Sequence, residues 1–388
     1  VQSSDIAKVI QKDMPYAEQM KRYLLVPLVL FILAIECSFG YNREVMAKSG
    51  SLASVARTHV TPPLTVKKPA KKPAQQANAF SFAPYILVDP ASKQDQNPNI
   101  IVQTAQKTGA KYYTLSFILG NNCQAMWWHE TAKTAMPPVV TPSRTPDRMM
   151  VAITQLRKLG GDVAISFGGA AGQELALTCP DAASLQKQYQ NVINTYRVTH
   201  LDFDVDAAAD ATSIDRRNQA LALLQKANPN LVISYTLPAD TSGLTANGLS
   251  VLQNAAQNGV KVSLVNIMAM DYGGSAPADQ MGQNAIAAAQ ATEQKLPLPA
   301  KVGITPMIAQ NDTSNEIFTT QDANTLVNFA KGDSHIGLLS MWALRRDRPC
   351  PAGASSGPAT SLCSSISEPA YAFTKIFNQY HNGSPAQR

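Results

Sequence analysis

Three aspartates recur at every second position in HLDFDVD (200–206): Asp202, Asp204 and Asp206. A β-strand sends alternate side chains to the same face, so this spacing stacks all three together. Carboxylates crowded on one face repel, and each raises its neighbours' pKa. Such a ladder suits proton transfer or a hard cation. Other residues capable of chemistry end similar runs. Asp271 and Tyr272 close VSLVNIMAMDY (262–272), Trp342 lies in HIGLLSMWAL (335–344), and Ser166 to Gly169 read SFGG. Three carboxylates are ligands for magnesium or calcium. No carbonyl-rich or His-bearing loop accompanies them, so acid/base chemistry is the favoured reading.

The elements that must position these residues alternate along the chain. β-branched or aromatic runs occupy 80–88, 112–119, 162–168, 200–206, 231–237, 262–272, 301–308 and 335–344. Segments of helical periodicity separate them, among them 181–198 and 213–227, with 367–381 following the last run. Asp181 and Ser213 are suited to cap the first two, and Asn228-Pro229 ends the second. Eight strand–helix alternations over about 300 residues predict an α/β fold, a (β/α)8 barrel. Barrels of this kind carry their active sites at the C-terminal strand ends, which is where the aspartates, Asp271, Tyr272, Trp342 and SFGG fall.

The first 79 residues read differently. Lys21 and Arg22 precede an apolar run from Tyr23 to Ile35, closed by Glu36. That length fits the apolar stretch of a signal peptide better than a membrane span, with an uncleaved anchor as the alternative. Residues 1–40 are thus expected to be a signal peptide or membrane anchor. Met20 directly precedes the basic pair, so a start there would make 1–19 an over-extension. Residues 41–79, rich in Pro, Ala, Lys and Gln, are expected to be a flexible linker, and 80–388 the barrel. Export is expected, to the periplasm or the medium. Contact with a membrane is expected only through an uncleaved N-terminal segment.

Charge supports that division. Of the 33 Lys/Arg and 27 Asp/Glu, 11 and 5 fall in residues 1–79, which leaves 22 of each in the barrel. The net +6 therefore belongs to the tail, and a neutral barrel offers no phosphate-binding field, so no nucleic acid is expected as partner. Setting Cys37 aside leaves four cysteines, an even number that suggests disulfides in an exported chain. Cys350 and Cys363 bracket a Gly/Ser/Pro-rich loop and are expected to pair, as are Cys123 and Cys179. No CxxC or His-containing cluster supports zinc.

Four motifs, in order and on the expected strands, resemble glycoside hydrolase family 18, the bacterial chitinases. ISFGG (165–169) is similar to the family's SxGG on strand 3, and LDFDVD (201–206) to its DxxDxDxE on strand 4. NIMAMDYG (266–273) and LSMWALRRD (339–347) are similar to its strand 6 and strand 8 segments. The resemblance implies substrate-assisted hydrolysis of chitin or another N-acetylglucosamine glycan, by a monomer without cofactor or metal. In that scheme a strand-4 acid protonates the glycosidic oxygen while the substrate's own acetamido oxygen attacks the anomeric carbon. Carried over, Asp206 holds the place of the acid, Asp204 orients the acetamido group, and Asp202 tunes Asp204 through a shared proton. Asp271 and Tyr272 bind acetamido and hydroxyl groups, Trp342 stacks beneath the sugar, and Met268, Met270 and Gly169 line the substrate. Trp127, with Trp128, widens the aromatic platform.

The pattern departs from the family at the ladder itself. Asp206 stands where the family has Glu, Thr199 where it has its first Asp, and His200 where it usually has Gly. Glu174 and Glu130 lie on other loops and are not obvious substitutes. Aspartate is one methylene shorter, so its carboxyl retreats by roughly 1–1.5 Å, and about 1 Å of misplacement can cost on the order of 10²-fold. Two functions stay open on this sequence: a chitinase of reduced efficiency, and a chitin-binding barrel that no longer cuts.

Overall fold

A computed structural model describes residues 80–88, 97–128, 147–206, 210–351, 360 and 362–381. The expected signal or anchor (1–40), the linker (41–79) and Glu130 lie outside the described residues. Eight parallel strands form the frame: Tyr85–Leu87 (β1), Tyr112–Asn121 (β2), Asp162–Gly168 (β3), His200–Asp204 (β4), Val232–Asp240 (β5), Leu264–Ala269 (β6), Lys301–Pro306 (β7) and Ile336–Leu339 (β8). Each pairs with the next in sequence order. Phe82 bridges Leu339 in parallel, and the amides of Ala83 and Tyr85 donate to Leu339 O and Met341 O at 3.2 and 3.1 Å. The sheet is thereby closed into a barrel.

Among the described residues, these helices return the chain: Ile100–Thr108 (α1), Arg148–Lys158 (α2), Ala182–Tyr196 (α3), Ala211–Ala227 (α4), Ala246–Gln257 (α5), Met281–Lys295 (α6), Thr320–Gly332 (α7) and Ala372–Phe377 (α8), with a short helical turn, Leu175–Thr178, after β3. α3 starts as expected, with Asp181 accepting from Ser184 N. α4 starts earlier than expected. Asp210, not Ser213, is its cap, and Asp210 accepts from Ser213 N. A carboxylate beside the helix start also suits the positive end of the helix dipole. α8 is shorter than the predicted 367–381 because Tyr371 leads into it with positive φ.

Alternation decides what β4 buries and where. Leu201, Phe203 and Val205 join the large apolar core, where Phe203 stacks on Phe167 at 5.3 Å between ring centres. Each such side chain is worth roughly 1.5–3 kcal/mol when fully buried. The intervening His200, Asp202 and Asp204 are buried as well, the first two against polar partners. A one-residue slip would exchange the two sets. Short hairpins that the sequence did not reveal decorate the C-terminal rim, including Gln124–Trp127 against β2 and Ala309–Gln310 against Ile317–Phe318. Both expected disulfides form, Cys123–Cys179 and Cys350–Cys363.

Candidate active site

The first carboxylate of the ladder is saturated. Asp202 Oδ2 accepts from Tyr85 Oη and Ser166 Oγ, each at 2.7 Å. Its Oδ1 accepts from Ser234 Oγ at 2.6 Å and Thr236 Oγ1 at 2.9 Å. Four donors fill about the whole acceptor capacity of an ionised carboxylate. Burial raises the Asp202 pKa, and the four hydroxyls act against that rise. A ring of O–H donors is also the wrong polarity for a cation, so the magnesium or calcium reading of the ladder does not fit Asp202. A different group of metal-ligand type, Glu293, Asp333 and His335, meets at the opposite rim, where His335 precedes β8.

Beneath Asp202 the chain continues to His200. His200 Nε2 lies 3.0 Å from Ser234 Oγ, and Ser234 in turn donates to Asp202. Burial lowers the His200 pKa to about 4, so it is neutral at ordinary pH. This gives a place to the residue that departs from the family's glycine.

Asp204 is the opposite case. It is buried, yet its Oδ1 has no hydrogen-bond partner among the described residues. Burial raises its pKa well above the usual carboxylate range, with Asp206, Asp202 and Glu174 adding like-charge repulsion. Asp202 makes no hydrogen bond to it here, because hydroxyls occupy both Asp202 oxygens. Asp206 lies beyond the end of β4 and is exposed. Partial loss of water, and then Asp271, raise its pKa too.

SFGG has a steric explanation. Gly168 has φ +100°, and a Cβ there would lie 2.1 Å from Asp204 O. Gly169 has φ +87°, and its Cβ would lie 2.7 Å from the Phe117 ring. Phe117 stacks on Trp342 at 5.7 Å between centres, and Tyr85 meets Trp342 at 6.0 Å. Trp342 itself is only half-buried. The second glycine therefore lets the backbone pass close to an aromatic group whose outer member still presents a face.

The other expected site residues separate. Met268, Met270 and Asp271 are half-buried, and Asp271 is near enough to Asp206 to raise it. Tyr272 is buried in the apolar core, and its Oη has no partner among the described residues. Burial, then Glu316 and Asp240, raises the Tyr272 phenol. Trp127 corrects an expectation. It is 2% exposed, and its Nε1 donates to Tyr196 Oη at 2.8 Å on α3. It packs in the core and is not a platform for substrate, because the hairpin strand that carries it places it against a helix.

Sequence reasoning missed the groups that hold Asp271. Glu316 is buried and accepts from Tyr272 N at 3.0 Å and Gly273 N at 2.7 Å. Asp271 Oδ1 accepts from Thr313 N at 2.8 Å, and Asp271 adopts φ +52°. Asn311 anchors the facing loop through Met307 O and Ala309 O. The contacts of Glu316 and Asp271 join loops more than 40 residues apart, and nothing in their local sequence signals them.

A closed barrel that gathers buried carboxylates and a half-buried tryptophan at its C-terminal strand ends has the build of a glycoside hydrolase. The barrel resembles active domain 2 of a thermostable chitinase from Pyrococcus furiosus, crystallised as catalytic-site mutants with chito-oligosaccharides. That match has 33% identity and a TM-score of 0.65, covering 78% of this chain and 94% of that one. A probable bifunctional chitinase/lysozyme of Escherichia coli K12 is 31% identical over 297 residues, 70% of this chain and 32% of that protein. Endochitinase 11 of Metarhizium anisopliae is 34% identical over 220 residues, 51% of this chain and 42% of that protein. The chain thus spans 32% of the first relative and 42% of the second. No family model matches it. The chain belongs to glycoside hydrolase family 18, with chitinase-like relatives.

Proposed function

We propose that the protein hydrolyses β-1,4-linked N-acetylglucosamine polymers by substrate-assisted retention, as an exported monomer. The observation that carries this reading is the unpaired, buried Oδ1 of Asp204. An unpaired buried acceptor suits an amide N–H, and a 2-acetamido sugar supplies one. The chito-oligosaccharides bound to the Pyrococcus furiosus domain are of that chemistry. Two disulfides support an oxidising compartment.

In this mechanism the sugar rests on Trp342, and its acetamido N–H donates to Asp204. Asp206 gives its proton to the glycosidic oxygen. The acetamido carbonyl oxygen bonds to C1 as the C1–O bond breaks, and the leaving sugar departs as an alcohol. Asp206, now ionised, takes a proton from the water that attacks C1 and reopens the ring. The raised pKa of Asp206 favours its starting protonated. Its short side chain reduces the rate but leaves the order of events unchanged.

The second reading, a glycan-binding barrel without turnover, draws on the same short acid and on the exposure of Asp206. A fluorogenic chitobioside assay separates the two. Turnover that falls about 10²–10⁴-fold in Asp206→Asn supports the enzyme, and Asp206→Glu is expected to raise it. Chitotriose binding, lost in Trp342→Ala, with wild-type turnover no higher than that of Asp206→Asn, would sink the enzyme and leave the binding protein.

A further inference from the structure

Behind the ladder lies an ion pair that the mechanism above does not use. Arg217, fully buried on α4, donates through Nε to Glu174 Oε1 at 2.6 Å and through Nη2 to Oε2. Its neighbour Arg216 donates through Nη1 to Ala176 O at 2.6 Å. The segment they grip is fixed from the other side as well. Gly120 N donates to Gln173 O at 2.8 Å, and Cys179 is bonded to Cys123. Glu174 also lies close to the ladder. A Cβ at Gly168 would lie 3.7 Å from Glu174 Cγ and 2.1 Å from Asp204 O.

The same helix begins near the acid. Asp210 caps α4, and Asp210 lies four residues beyond Asp206. Arg217, in the second turn of α4, thereby ties the helix capped by Asp210 to the segment after β3. Stability alone does not call for such a pair, since buried ion pairs are often replaced by apolar side chains without loss. Positional control does, because a two-pronged guanidinium–carboxylate contact fixes distance and orientation together.

We propose that Glu174 and Arg217 are positioning residues for proton transfer: their ion pair sets where Asp206 is presented, and Glu174 places a charge behind Asp204. Both Glu174 oxygens accept from the guanidinium, so Glu174 is not the missing acid. The inference rests on the ladder being the reacting site. The titratable groups that face Asp204 are Asp202 and Asp206 on its own strand and its extension, Glu174 from the loop after β3, and Tyr85 from β1. Removing the Glu174 charge takes away one repulsion, so the Asp204 pKa falls and the pH limb it controls moves to lower pH.

The test uses the full chain, a fluorogenic chitobioside over pH 4–9, and chitotriose titration. Glu174→Gln is expected to lower kcat about 10- to 100-fold, to leave KM nearly unchanged and to shift that limb to lower pH. The double variant E174Q/R217M leaves no orphaned charge and is expected to fold with the same kinetic defect. Arg217→Lys, which keeps the charge and loses the fork, is expected to lower kcat without the pH shift. Folded variants with wild-type kcat and wild-type pH profile would overturn the proposal alone. If the wild type binds chitotriose without turnover, the pH midpoint of binding becomes the readout, and an unmoved midpoint in Glu174→Gln overturns the proposal. A wild type that neither cleaves nor binds overturns the reading of the site and this inference with it.

Discussion

Asp202 and Asp204 are the same residue two positions apart on one strand, and their surroundings separate them completely. Four hydroxyls from three strands saturate Asp202. No donor reaches Oδ1 of Asp204 among the described residues, and three carboxylates press on it. The lower layer is a finished polar network, and such networks hold a core in one arrangement when every member is satisfied. The upper layer is unfinished, and a buried group left without a partner is costly unless a ligand completes it. The contrast suggests that the barrel keeps its rigid chemistry below and its reactive chemistry above.

The sharpest way to break that contrast is to remove the unfinished group. Asp204→Asn should lower chitobioside turnover by about 10³-fold, the scale of losing one electrostatic stabiliser, with little change in the urea midpoint. A midpoint that fell as far as in an Asp202 variant would erase the distinction. In the lower layer the effect should fall on stability. Asp202→Ala leaves four buried hydroxyls without their acceptor and should cost about 3 kcal/mol in urea unfolding.

His200 tests how far down the finished layer extends. Its folded pKa is about 4 against 6.5 unfolded, so between those values the unfolded chain binds the extra proton. Stability should therefore fall as pH drops through this window, by about 2 kcal/mol at pH 5 relative to pH 7.5. His200→Gln can still donate to Ser234 and should remove that part of the pH dependence. The carboxylates raised in the folded state act in the opposite direction, so the decisive quantity is the difference between variant and wild type. An unchanged pH dependence would place His200 outside the network's energetics.

The smallest expected effect concerns Glu316, which holds the turn that carries Asp271. Glu316→Gln keeps one acceptor for two amides and should weaken chitotriose binding by about 10-fold, near the 1–1.5 kcal/mol of one such hydrogen bond. A loss in thermal stability with unchanged affinity would make Glu316 structural only.

The sequence alone determined a good deal. Period-two aspartates, eight alternations and four ordered motifs define the barrel, the strand that carries the ladder and the family, because side-chain alternation and strand order are properties of the chain itself. The two disulfides were legible from parity and loop composition. Tertiary structure decided which aspartate is saturated, since the donors to Asp202 come from Tyr85, Ser166, Ser234 and Thr236, up to 117 residues away in the case of Tyr85. It also withdrew Trp127 into the core, gave His200 a role beneath the ladder, and joined Glu174 to Arg217 across 43 residues. A one-dimensional pattern fixes the direction of each side chain along its strand, but only closure of the barrel brings its partners within hydrogen-bonding distance.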